Sequence, residues 1–315
     1  MTAVFWHPHY NLDISLPGWL TKLASRLVPT PFHKYKRLHT ALSARRGFVF
    51  KTPEVASRAL LGTVHTEDYL DGLEAHAREG ALRASWRIHR GDSDVLDSDC
   101  APFNRHVLDF FKASVGGTCA ALQHAYETKA VAINLSGGFH HAAPAEGAGF
   151  CILNDVAVAV RRLNKKVLIV DLDVHHGDGN VVALRDNPKA FTFSMHQREG
   201  YPEVKPRGSY DVGLREGAED AEYLQALLTW LPGCLDAFKP AAVVYLAGVD
   251  PLETDKLGGL SLSTEGLQRR DQLVFELCRA RSLPVAVVLG GGYSPLEITV
   301  QAHLITCEEA RRVSL

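Results

Sequence analysis

The stretch DLDVHHGDGN, residues 171–180, directly follows KKVLIV (165–170), an apolar run rich in β-branched residues. Asp171, Asp173, His175 and Asp178 crowd into eight positions, with His176 among them. A buried strand that ends in so much polarity delivers chemistry. In an extended chain residues i, i+2 and i+4 point to one side, so Asp171, Asp173 and His175 share a direction. An acid and an imidazole placed this way make two ligands for a divalent metal. Asp255, in GVDPLETDKLGG (248–259), follows the end of another apolar run and is the candidate third. Two carboxylates and one imidazole leave a coordination position open, as a catalytic zinc site requires. The same set suits Fe2+ or Co2+.

Working outward, further short apolar runs read as buried parallel strands: AVAINL (130–135), AFTFSM (190–195), AAVVYLAG (241–248) and PVAVVLGGG (284–292). Between most of them lie helical patterns, over 106–127, 150–163 and 221–238. Strand and helix in alternation imply a parallel sheet with helices on both faces. In such sheets function gathers after the C-terminal ends of the strands. The polar clusters SGGFHHA (136–142), VDPLETD (249–255) and GGGY (290–293) lie there too. His140 and His141, after two glycines, can work on metal-activated water as general base. Asp171 and Asp178 are free to orient them. Tyr293, after three glycines, can donate to a developing oxyanion. Nothing resembles a serine nucleophile or a phosphate loop.

The chain has 315 residues and a net charge of −2, which gives it no electrostatic reason to seek nucleic acid. No apolar run is long enough to span a membrane, and the N-terminus lacks a secretory signal pattern. Six scattered cysteines without a CxxC pair fit a reducing cytoplasm. The basic segment 22–46 reads as a solvated helix face, with a rim that touches substrate or a partner as the alternative.

LSGGFHHA (135–142), GFCILNDVAVA (149–159), VLIVDLDVHHGDGN (167–180), AGVDPLETDKLGGLSLS (247–263) and VVLGGGY (287–293) resemble the histone deacetylase superfamily, in the same order. GAEDAEYL (217–224) and DPLETDKLGGLSLSTEGLQRRDQLVF (250–275) look most like its class IV branch and bacterial relatives. The resemblance implies one catalytic domain over 1–315. It implies an α/β, three-layer α/β/α arginase/deacetylase-like fold with a central, mostly parallel eight-stranded sheet. It places one catalytic Zn2+ on Asp173, His175 and Asp255. It pairs His140 with Asp171 and His141 with Asp178, and makes Tyr293 the transition-state donor. It implies a substrate tunnel at Gly149, Phe150 and Tyr201. A structural K+ is expected near Asp171, Asp173, His175, Ser194 and Met195. Asp99 is the candidate for the family's rim aspartate. The expected activity is a zinc-dependent amidohydrolase that removes an acetyl or longer acyl group from lysine in a protein or peptide. Small acetylated amines are the alternative substrates. A two-manganese ureohydrolase of the same fold and a non-catalytic acyl-lysine binding module are the rivals.

Overall fold

The computed structural model describes residues 1–12, 32–79 and 104–313, so Asp99 and Cys100 lie outside the described residues. Eight strands form one sheet: β1 (Thr2–Phe5), β2 (Phe48–Lys51), β3 (Val131–Asn134), β4 (Val167–Asp171), β5 (Ala190–Gln197), β6 (Tyr210–Leu214), β7 (Ala242–Leu246) and β8 (Val285–Val288). Their order is β2-β1-β3-β8-β7-β4-β5-β6, and every neighbouring pair is parallel. Positions along β3, β4, β7 and β8 are buried throughout. That is the pattern of a parallel sheet covered on both faces.

Those four strands are neighbours at the middle of the sheet. The polar clusters follow them in sequence, so parallel pairing brings all four to one edge. The edge strands β2 and β6 are half exposed, and neither carries more than three consecutive apolar residues. That is why periodicity did not reveal them.

Nine α-helices surround the sheet among the described residues: α1 (Lys34–Ser43), α2 (Arg58–Leu61), α3 (Glu67–Glu79), α4 (Arg105–Thr128), α5 (Asp155–Leu163), α6 (Asp178–Leu184), α7 (Asp220–Phe238), α8 (Thr264–Ala280) and α9 (Leu296–Val313). The helical pattern expected over 150–163 holds only from Asp155. Asn154 caps the helix there, its Oδ1 accepting from the Ala157 amide at 2.7 Å. Residues 149–154 are therefore free to form a loop beside the site. The basic segment also departs from expectation. Lys36 and Arg37 are solvated, but Lys34 is 1% exposed.

Mid-helix glycine costs about 1 kcal/mol against alanine, yet α4 has a pair at its centre. Packing explains it. A Cβ at Gly116 would overlap the Glu54 carbonyl oxygen, and one at Gly117 would overlap the Tyr10 hydroxyl. That hydroxyl donates to Asn134 Oδ1 at 2.8 Å, at the end of β3. Gly116→Ala is expected to destabilise the protein by about 1–3 kcal/mol through overpacking, despite the better helix propensity. Urea unfolding measures this, and a variant as stable as wild type would show that the segment at Glu54 moves aside freely.

Candidate metal and acid–base site

β4 delivers Asp171, and the chain beyond it delivers Asp173 and His175. β7 leads into Asp250. Ligand atoms of Asp173, His175 and Asp250 lie within 4.8 Å of one another, all three buried. His175 Nδ1 is 3.0 Å from Asp173 Oδ1 and 3.4 Å from Asp250 Oδ2. Asp250 Oδ1 accepts from the Val174 amide at 2.9 Å, while its Oδ2 is buried with no hydrogen-bond donor. Asp255 is less buried. Its Oδ1 accepts from the Leu257 and Gly258 amides, each at 2.9 Å, and its Oδ2 from the Tyr293 amide at 2.6 Å. Oxygen and nitrogen donors converging around an orphaned carboxylate oxygen fit a divalent cation.

Charge explains the acids' titration. Burial opposes ionisation of Asp173, but His140 and His175 outweigh it and hold the carboxyl well below its usual range. Burial, and then Asp173, push Asp250 up to about 7.

The adjacent histidines are backed differently. His140 Nδ1 lies 2.8 Å from Asp171 Oδ2, and His141 Nδ1 lies 2.6 Å from Asp178 Oδ1. Their Nε2 atoms face each other at 3.0 Å, a spacing that holds one proton between them rather than two. Burial would lower His140, but Asp171 and Asp173 raise it to about 9. Burial and the neighbouring His140 push His141 down to about 4. Their loop is held by Asp155, whose carboxylate accepts from the Gly138 amide at 3.0 Å and the Phe139 amide at 2.8 Å.

A cavity of about 30 Å³ touches His140, His141, Asp173, Tyr293, Gly149 and Phe150. Gly149 and Phe150 have φ of 49° and 64°. They form the centre of a tight turn closed by the Ala148–Cys151 bridge. This turn sets the Phe150 ring 5.6 Å from that of Tyr293. Tyr201 stands 4.8 Å from the His141 ring. Ser194 pairs in register with Asp171 across β4 and β5, with Met195 next along.

The inner wall holds Lys34. Its Nζ donates to the carbonyls of Gly290 (3.2 Å) and Gly291, and lies 3.1 Å from His303 Nε2. An ammonium has three donors, and three acceptors surround this one. Burial lowers Lys34 to about 7 against the pull of Asp250, Asp173 and Asp255. The glycine run is thus gripped by Lys34 from inside and by Asp255 at the Tyr293 amide.

The histone deacetylase domain matches residues 29–308. The chain belongs to the histone deacetylase family. It is therefore a hydrolase of that family. An uncharacterised protein of Picosynechococcus sp. is 38% identical over 293 residues, covering 90% of this chain and 93% of that one. Histone deacetylase 2 of Arabidopsis thaliana is 33% identical over 261 residues, 80% of this chain and 65% of that protein. The crystal structure of acetylpolyamine aminohydrolase from Burkholderia pseudomallei shares the fold, with a TM-score of 0.78, 23% identity and 98% coverage of both chains.

Sequence reasoning missed Lys34, Asp155 and Asp250. Asp250 carried a usable signal, since it lies closer to the end of its strand than Asp255 does. Lys34 carried none, because only the fold shows that it is buried. Lys34→Met leaves two buried carbonyls without their donor. A stability loss of about 1–3 kcal/mol is expected, with faster amide hydrogen exchange across residues 290–293. Unchanged protection at the Tyr293 amide would show that Asp255 alone fixes the glycine run.

Proposed function

We propose that this chain is a zinc-dependent hydrolase that removes an acyl group from a lysine side chain, with a single catalytic domain. The observation that supports this most directly is one small cavity touching both histidines, Asp173 and Tyr293. Asp173, His175 and Asp255 would hold the ion, with Asp250, whose ligand atom lies within 4.8 Å of those of Asp173 and His175, as a fourth acid beside them. A bound Zn2+ supplies Lewis acidity toward the amide carbonyl and lowers the pKa of water.

The chain's own groups manage protons and orientation. His141, neutral and oriented through Nδ1 by Asp178, is the general base: its Nε2 turns from His140 to the attacking water and accepts a proton from it. His140, kept cationic by Asp171, stands 3.0 Å away and tunes that basicity. That proton then goes to the departing nitrogen and the C–N bond breaks to a carboxylic acid and an amine, and the acid's remaining proton passes to the amine, which leaves a carboxylate and an ammonium. The Tyr293 hydroxyl donates to the carbonyl oxygen as its negative charge grows. Gly149, Phe150 and Tyr201 line the path of the acyl-lysine stem. The ladder pairing of Asp171 with Ser194 supports a structural K+ beside Asp171, Asp173, His175, Ser194 and Met195.

One potential metal cluster among the described residues favours this reading over a two-manganese ureohydrolase. No described helix is long and apolar enough to cross a membrane. Five described cysteines are free and buried, which supports a reducing, cytoplasmic setting.

The substrate is tested with lysine peptides bearing acyl groups of increasing length, beside acetylated small amines. Turnover of an acyl-lysine peptide ahead of the small amines supports the lysine assignment. Faster turnover of an acetylated polyamine would replace the lysine assignment, and no turnover of any amide would end it. His141→Ala should lose about 10²–10⁴ in rate, much more than His140→Ala, with metal still bound. Tyr293→Phe should lose about 10²–10³ in kcat.

Elemental analysis separates the two acids. Asp255→Asn is expected to lose stoichiometric metal, whereas Asp250→Asn keeps it. The reverse result would move the third ligand to Asp250.

A further inference from the structure

Behind the metal cluster lies a second charged pair that the proposed reaction does not use. Arg270 and Asp271, on α8, both have fully buried side chains. Arg270 Nε and Nη2 donate to Asp271 Oδ1 at 3.0 and 2.8 Å. Asp271 also accepts from the Tyr245 hydroxyl on β7 and from Thr306 Oγ1 on α9, the latter at 2.6 Å. The guanidinium carbon sits 5.9 Å from the centre of the Tyr245 ring. Replacing such a buried pair by well-packed apolar residues is often neutral or stabilising. Stability alone is therefore a weak reason for its presence.

Its third nitrogen gives a better one. Nη1 donates to the Gly248 carbonyl at 2.6 Å and lies 3.4 Å from the Leu172 carbonyl. Leu172 immediately precedes Asp173, and Gly248 is two residues before Asp250. Between β4 and β7 the Leu172 amide still bonds Leu246 O, at 3.2 Å. Beyond that bond the two chains run on into their site loops, and there the guanidinium bridges them. Gly248 is packed tightly on the site, since a Cβ there would come within 2.8 Å of Asp173 Cα.

We propose that Arg270, steadied by Asp271, is a positioning residue that fixes the spacing of the two strand ends carrying the metal-site carboxylates. A planar fork that reaches an acid and two carbonyls at once suits the task, and a lysine cannot reproduce it. The proposal rests on the metal assignment above.

Zinc affinity, measured by competition with a chromogenic chelator, provides a test independent of turnover. Outer partners of metal ligands are typically worth about 10–100-fold in affinity. Arg270→Lys, which keeps the charge, and the double variant Arg270→Met/Asp271→Leu, which removes the pair, should each bind zinc about 10–100-fold more weakly. Leu231→Ala, a buried change on α7, serves as a control for general destabilisation and should keep wild-type affinity. Wild-type affinity in Arg270→Lys, or in the double variant, would overturn the role. So would an equal loss in Leu231→Ala. A wild-type chain that binds no zinc would instead overturn the metal assignment itself, and this proposal with it.

Discussion

Four carboxylates, Asp171, Asp173, Asp250 and Asp255, crowd one edge of the sheet, and their mutual repulsion in a dry environment is the constraint that the surroundings answer. An uncompensated buried charge is costly enough that the group gives up its charge instead. Each acid here has its own remedy. Asp171 has His140, and Asp173 has His175. Asp255 has three backbone amides. Asp250 is the least compensated, with one amide and an orphaned oxygen, and burial lifts it furthest toward neutrality. A divalent cation would relieve all four together, so the strength of this site and its apparent strain have one origin.

The same electrostatics separate two histidines that are equal as a sequence motif. His140 sits among Asp171, Asp173 and Asp178, which outweigh its burial so that it holds its proton, while His141, buried and beside a cation, loses its own. A base and a modulator arise from adjacent residues without any difference in residue type. Asp155 matters here because it fixes the loop from which both rings project.

The central strands were legible because burial on both faces writes a continuous apolar run, and the polarity after each run marked the functional edge. β2 and β6 were not legible because a half-exposed edge strand needs no such run. The start of α5 was misplaced because an apolar loop lining a cavity and the first turn of a buried helix share a composition, and only the Asn154 cap divides them. Asp255 was singled out because it follows the end of an apolar run, whereas the buried cluster that the structure brings together contains Asp250. Asp250 was passed over because a lone acid at a strand end has no partner within its local window.

Lys34 and Arg270 show where local reading ends. Lys34 meets a carbonyl 256 positions away, and Arg270 one 98 positions away. No periodicity spans such separations, and a charged residue inside a helical pattern is most simply read as solvated. These two side chains reach backbone carbonyls on the inner side of the site. Removing either strands buried polar groups. The acids need the fold to gather them, and the fold needs cations within it to tolerate the backbone that the acids occupy. Site and core are in this sense one electrostatic unit.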